Sequence, residues 1–161
     1  MKKLLALSAL LLAACSTQPK VDDSSYGASV GIVNHTAKYI YSASADGGGG
    51  GHMGAWGAGS ANVCCVMVPL KWRPGMTVVV RWDMPDGSKH IYKEKIVEVE
   101  KYDESGGSLY IHIFPDDEVR VVVSRYSGWS STHPIPAPID FTSQSNLPKM
   151  IDLENERETG I

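Results

Sequence analysis

The 161-residue sequence predicts an all-β domain, an antiparallel β-sandwich or small open barrel of about seven strands. Three observations lead there. Short runs rich in Val, Ile and Tyr, residues that suit a pleated and half-buried surface, recur from Ala28 to Ser124. Gly, Pro, Asp and Ser cluster between these runs as turn residues. No apolar stripe of helical period extends over three turns.

Taken in order, the strands are expected at Ala28 to Asn34, Lys38 to Ala45, Asn62 to Val68, Met76 to Asp83, Lys89 to Lys101, Leu109 to Phe114 and Glu118 to Ser124. Alternation is clearest in the fourth. Met76, Val78, Val80 and Trp82 share one face, and Thr77, Val79, Arg81 and Asp83 share the other, so one face is buried and one is wet. Pro74-Gly75 precedes that strand and Pro85-Asp86-Gly87-Ser88 follows it. Ser105-Gly106-Gly107 opens the sixth strand, and Pro115-Asp116-Asp117 closes a hairpin into the seventh.

Two stretches fall outside this pattern. Asp46 to Ser60 holds eight glycines in fifteen residues, and glycine has the most backbone freedom to lose on ordering, so a mobile loop is expected over 46–60. After Gly128 the chain carries Pro134, Pro136, Pro138 and Pro148, which disfavour helix and central strand. His133 to Asp140 is therefore expected to run extended across the surface, with a frayed or briefly helical acidic end at Asp152 to Glu158.

The first fifteen residues resemble the export signal and lipobox of bacterial lipoproteins. Lys2 and Lys3 form a basic start, Leu4 to Leu12 a short apolar run, and Leu12-Ala13-Ala14-Cys15 the lipobox itself. The apolar run is too short for a stable membrane span. The resemblance implies cleavage before Cys15 and acylation of that residue, which leaves the protein anchored to a membrane rather than spanning it. Ser16, where an aspartate would favour retention at the inner membrane, implies the periplasmic leaflet of the outer membrane. The expected organisation is a signal peptide over 1–14, a lipidated cysteine and tether over 15–27, a β-domain over 28–126 and a Pro-rich irregular tail over 127–161. Fully extended, the polar stretch Ser16 to Tyr26 reaches about 35 Å.

Charge excludes one class of partner. Cleavage removes two lysines and leaves 147 residues, one domain in size, with a formal charge of −5 in place of −3. Nucleic-acid binding requires clustered Lys and Arg, which this sequence lacks. The two cysteines left in an oxidising compartment, Cys64 and Cys65, are adjacent. Neighbouring residues of a strand point to opposite faces, so a bond between them needs a turn-like peptide. A vicinal disulfide and two separate thiols both remain open.

No catalytic constellation is visible. His35, His52, His90, His112 and His133 lack zinc-ligand spacing, and there is no Gly-x-Ser-x-Gly elbow, Ser-x-x-Lys or phosphate loop. Asp116, Asp117 and Glu118 are accounted for by turn formation. Neither an enzyme, a metal nor a cofactor is expected. Two segments suit contact with a partner. His52, Met53 and Trp56 lie in the Gly-rich stretch, where Trp and Met are common interface anchors, unless Trp56 folds back over a sheet edge. Trp72 and Arg73 form a cationic and aromatic turn, unless Trp72 caps the core.

Three sequence blocks resemble a family of small proteobacterial lipoproteins of the unknown-function domain 3304 type. They are Asn34-His35-Thr36 with Tyr39-Ile40-Tyr41, the Gly-rich stretch, and Val63-Cys64-Cys65-Val66-Met67-Val68-Pro69 running into Lys71-Trp72-Arg73-Pro74-Gly75-Met76. The likeness spans Val30 to Val123. It implies association with phospholipase effectors of type VI secretion, this chain serving as a periplasmic immunity protein that binds the toxin. A Gly-rich loop carrying Met53 and Trp56 would then plug the lipase cleft. The competing expectation is a non-catalytic envelope lipoprotein that binds another envelope protein.

Overall fold

The computed structural model describes residues 24–59 and 61–139. The expected signal peptide, Cys15, most of the tether and the acidic end of the chain lie outside the described residues. Eight strands build the domain: β1 (Ser25–Asn34), β2 (Ile40–Ala45), β3 (Gly48–Met53), β4 (Val63–Pro69), β5 (Thr77–Asp83), β6 (Tyr92–Glu98), β7 (Ser108–Ile113) and β8 (Val119–Ser124). They form two four-stranded sheets, ordered β4-β1-β7-β8 and β3-β2-β5-β6, and the sheets are not closed into a barrel. The fold is all-β and consistent with a sandwich, as the residue pattern predicts.

Two features depart from that prediction. β1 and β7 pair in parallel, Val33 opposite His112 and Asn34 opposite Ile113, while the other pairs of named strands are antiparallel. The Gly-rich stretch is not a mobile loop throughout. Gly48–Met53 is a strand paired with β2, and Asp46 and Gly47, both at positive φ, make the two-residue turn between them. Glycine there serves packing rather than freedom. A Cβ on Gly48 would lie 2.6 Å from the carbonyl carbon of Cys65 and 2.9 Å from the nitrogen of Val66, so β3 passes β4 at a distance only glycine permits.

The main core lies between the sheets, where Ile40, Val80, Ile111, Ile113 and Val121 are fully buried. A second cluster lies on the other side of the first sheet. Val33, Tyr110 and Val122 are covered there by Ala58 and by Ile135 of the Pro-rich tail, which is 2% exposed. The tail thus packs against the sheet instead of merely crossing the surface. Burial on both faces explains why β7 and β8 read as continuous rather than alternating apolar runs.

The expected long strand from Lys89 to Lys101 shortens at both ends. Asp86 and Lys89 exchange backbone hydrogen bonds in a turn. After Glu98 the chain leaves one sheet for the other: Val99 donates to the Met76 carbonyl, while Glu100 donates to that of Val121. Trp72 Nε1 donates to the Val99 carbonyl at 2.8 Å, pinning this crossover.

Candidate functional site

The outward face of the β3-β2-β5-β6 sheet carries a row of exposed aromatic and aliphatic side chains. Alternation along β6 turns Tyr92 and Ile96 to solvent, 76% and 69% exposed, and turns Val97 inward. A bulge in β2 sets Tyr41 and Ser42 against the single residue His52 and leaves Tyr41 half exposed. Between the two tyrosines stands His90, edge-on to Tyr41 at 4.9 Å and stacked with Tyr92 at 5.8 Å between ring centroids. Its Nδ1 pairs with the buried carboxylate of Asp83, which also accepts the Ile91 N–H at 3.0 Å. Asp83 therefore fixes the ring orientation and leaves Nε2 as the imidazole nitrogen not engaged with Asp83. Tyr39 and His52 extend the row, and the Arg81–Glu94 pair at 2.6 Å lies beside it.

A cavity of about 500 Å³ opens at one end of the sandwich, walled by Trp56, Met84 and Phe114, with Lys38, Asp116 and Asp117 also in its lining. Trp56, Asp116 and Asp117 all adopt left-handed φ values, 53°, 59° and 60°. Side chains seldom accept that conformation unless the surroundings enforce it. Lys93 Nζ holds Asp117 Oδ1 at 2.5 Å, and the Trp56 N–H donates to the Thr36 carbonyl at 3.0 Å. Behind the wall, Asn34 ties the end of β1 to the loops that follow β1 and β3. Its amide donates to the carbonyls of Lys38 and Gly54, and its oxygen accepts from the backbone and hydroxyl of Thr36.

Next to Phe114, three histidines separated widely in sequence form a line. His35 Nε2 lies 3.0 Å from His112 Nδ1, His112 Nε2 lies 3.0 Å from His133 Nε2, and His133 Nδ1 lies 2.9 Å from the Tyr126 carbonyl. Burial holds the His35 imidazole down to about 4, helped by the charge of Arg120. Burial first, then the neighbouring His133, His35 and Arg120, pushes His112 down to about 2. His133 is lowered by burial against an opposing pull from the Tyr126 carbonyl. The nitrogens face one another along a line instead of converging on a point. Among the described residues no three His, Cys, Asp or Glu side chains are grouped to hold a metal ion.

The residues singled out from the sequence do not form one patch. His52 is exposed beside Tyr39, but Met53 packs against the main core and under Gly57, whose Cβ would lie 2.6 Å from its sulfur. Trp56 lines the cavity, so the three do not project together as a plug. Trp72 is held by its hydrogen bond to Val99, while Arg73 beside it is exposed. Cys64 and Cys65 are joined as a vicinal disulfide and oppose the single residue Ser29, a bulge that leaves both exposed on the edge strand. Sequence reasoning passed over Tyr41, Asp83, His90 and Tyr92. Tyr92, Glu94 and Ile96 on one face of β6 gave a period-two signal, but the Asp83–His90 pair depends on a turn whose path is set in three dimensions.

Fold and surface together define a small all-β domain with one aromatic sheet face. The family model described as protein of unknown function (DUF3304) matches residues 33–121, more than half of the chain, and the chain belongs to this family. No curated protein and no solved structure matches it. Among the described residues, no helix is long and apolar enough to cross a membrane.

Proposed function

We propose that this chain is a lipid-anchored periplasmic immunity protein that binds and inhibits a phospholipase delivered by type VI secretion. The observation that carries the reading is the outward sheet face of Tyr41, His90, Tyr92 and Ile96. Tyrosines held on a rigid sheet offer large contact area with little side-chain entropy to lose, the character of interface anchors. Inhibition of this kind needs no chemistry of its own. The partner's cleft is covered, or the movement that admits lipid is blocked. Acylation of Cys15 would hold the inhibitor at the outer membrane's periplasmic leaflet, raising its effective concentration where a lipase does its damage.

Co-production in the periplasm tests this. A lipase encoded beside this chain should kill cells alone, spare them with the full protein, and kill again in part when Cys15→Ala removes the anchor. Toxicity unchanged by any form overturns the immunity reading. It leaves the competing one, a non-catalytic lipoprotein that binds another envelope protein.

A further inference from the structure

The proton positions in the histidine line follow from one fixed point. A carbonyl oxygen only accepts, so His133 Nδ1 must carry the hydrogen shared with Tyr126. Neutral His133 then presents a bare Nε2, which requires His112 to donate from its own Nε2. His112 Nδ1 is bare in turn and accepts from His35 Nε2. Each neutral tautomer is thereby set, and His35 Nδ1 is left with a lone pair.

Counting protons gives the capacity of the line. Each of the two N···N contacts holds one hydrogen, and the outer nitrogens, His133 Nδ1 and His35 Nδ1, hold one apiece. The neutral line carries three, so a single added proton fits at His35 Nδ1 with every contact intact. A second added proton has no such place. It forces two N–H groups to face each other across 3.0 Å and breaks a contact.

We propose that this line is a proton-operated latch, which holds the tail from Trp129 to Pro138 on the outer face of the first sheet at neutral pH and releases it in acid. Among the described residues, the His112–His133 contact is the hydrogen bond that ties 129–138 to the strands, since the remaining bonds of that stretch are local turns. Pro134, Pro136 and Pro138 bring no backbone donors. Release uncovers Val33, Tyr110 and Val122, now capped by Ile135.

Apart from the Tyr126 carbonyl, which favours a proton on His133, the surroundings oppose charging. Arg120 of β8 is the nearby cation, itself paired with Glu100 at 2.6 and 3.1 Å and influenced by Glu118. Phe114 stacks on His35 at 4.0 Å, and Tyr110, kept neutral by burial, sits edge-on to His133 at 4.8 Å. Folding lowers the proton affinity of all three histidines relative to the open chain, so the native state binds fewer protons. The stability they contribute is complete above about pH 6.5 and drains away as the pH falls towards the folded values.

Nuclear magnetic resonance on the ¹⁵N-labelled full chain reads the tautomers directly, and hydrogen exchange, corrected for the intrinsic rate at each pH, reads the tail. At pH 7.5, His133 should be protonated at Nδ1 and His112 and His35 at Nε2. Between pH 7 and pH 4 the hydrogen-bonded amides of Ser130, Thr132 and His133 should lose at least tenfold in protection, while those of β1 and β7 change less than twofold. His133→Gln keeps a hydrogen-bonding partner for His112 that does not titrate, and should move tail release at least one pH unit lower. Other tautomers in the wild-type protein overturn the wiring and need no variant that folds. Tail and strands losing protection together, a tail that stays protected at pH 4, or the same release midpoint in His133→Gln each overturn the latch.

Discussion

Asn34→Ala should cost the domain about 3–4 kcal/mol, more than most single substitutions in it. The side chain is fully buried and uses both amide hydrogens and its oxygen, on Lys38, Gly54 and Thr36, at 2.7 to 3.0 Å. Truncation leaves the Thr36 N–H without a protein partner, while the Lys38 and Gly54 carbonyls lose one donor each and keep the Thr36 hydroxyl and the Gly57 N–H. The orphaned N–H costs about 1–3 kcal/mol, and each of the other lost bonds adds about 0.5–1.5 kcal/mol where water does not replace it. Asn34→Asp should be no better. It retains the acceptors for Thr36 but turns a carboxylate towards the Lys38 and Gly54 carbonyls. Urea unfolding checks both, and a loss below 1 kcal/mol for Asn34→Ala would contradict the role given to this network.

The second large effect is expected at a residue with no side chain. Gly48→Ala puts a methyl group against the backbone of Cys65 and Val66, which cannot rotate away, and should destabilise by about 2–3 kcal/mol. Gly54→Ala, six residues on, meets nothing within 4 Å and should stay within about 0.5 kcal/mol. If the two substitutions cost the same, glycine in this stretch serves chain freedom, and the close passage of β3 over β4 is not what selects it.

That contrast shows where the sequence was readable. Seven strands follow from β-branched runs and turn residues, and each lies within a few residues of its place in the structure, because alternation such as Val78, Val80 and Trp82 records a local burial pattern. β3 was missed because its glycines carry no pattern to read, although Asp46-Gly47 directly after a strand is a hairpin signal that composition obscured. The histidine line was beyond local reading. His35 and His112 are 77 positions apart and meet because β1 pairs in parallel with β7, a register no spacing reveals. The Pro-rich tail misled for a related reason. Proline argues against helix and central strand, but Ile135 between two prolines still had an apolar sheet face to cover.

The same reasoning moves the proposed contact surface. Met53 is committed to the core and Trp56 to a cavity wall, so a flexible plug no longer fits the segment that was to supply it. Tyr41 and Tyr92, fixed on strands around His90, take its place as the anchors proposed for the partner. Their substitution by alanine removes exposed surface and should leave stability nearly unchanged, which separates a binding defect from a folding one.

The most direct test is a binding titration between the mature domain and its proposed partner, a phospholipase effector of type VI secretion, repeated with the Tyr41→Ala, Tyr92→Ala double variant. A tight one-to-one complex that weakens at least a hundredfold in the double variant, with unfolding transitions unchanged, is the expected result. No complex with the wild-type domain, or equal affinity in both proteins, would contradict the account.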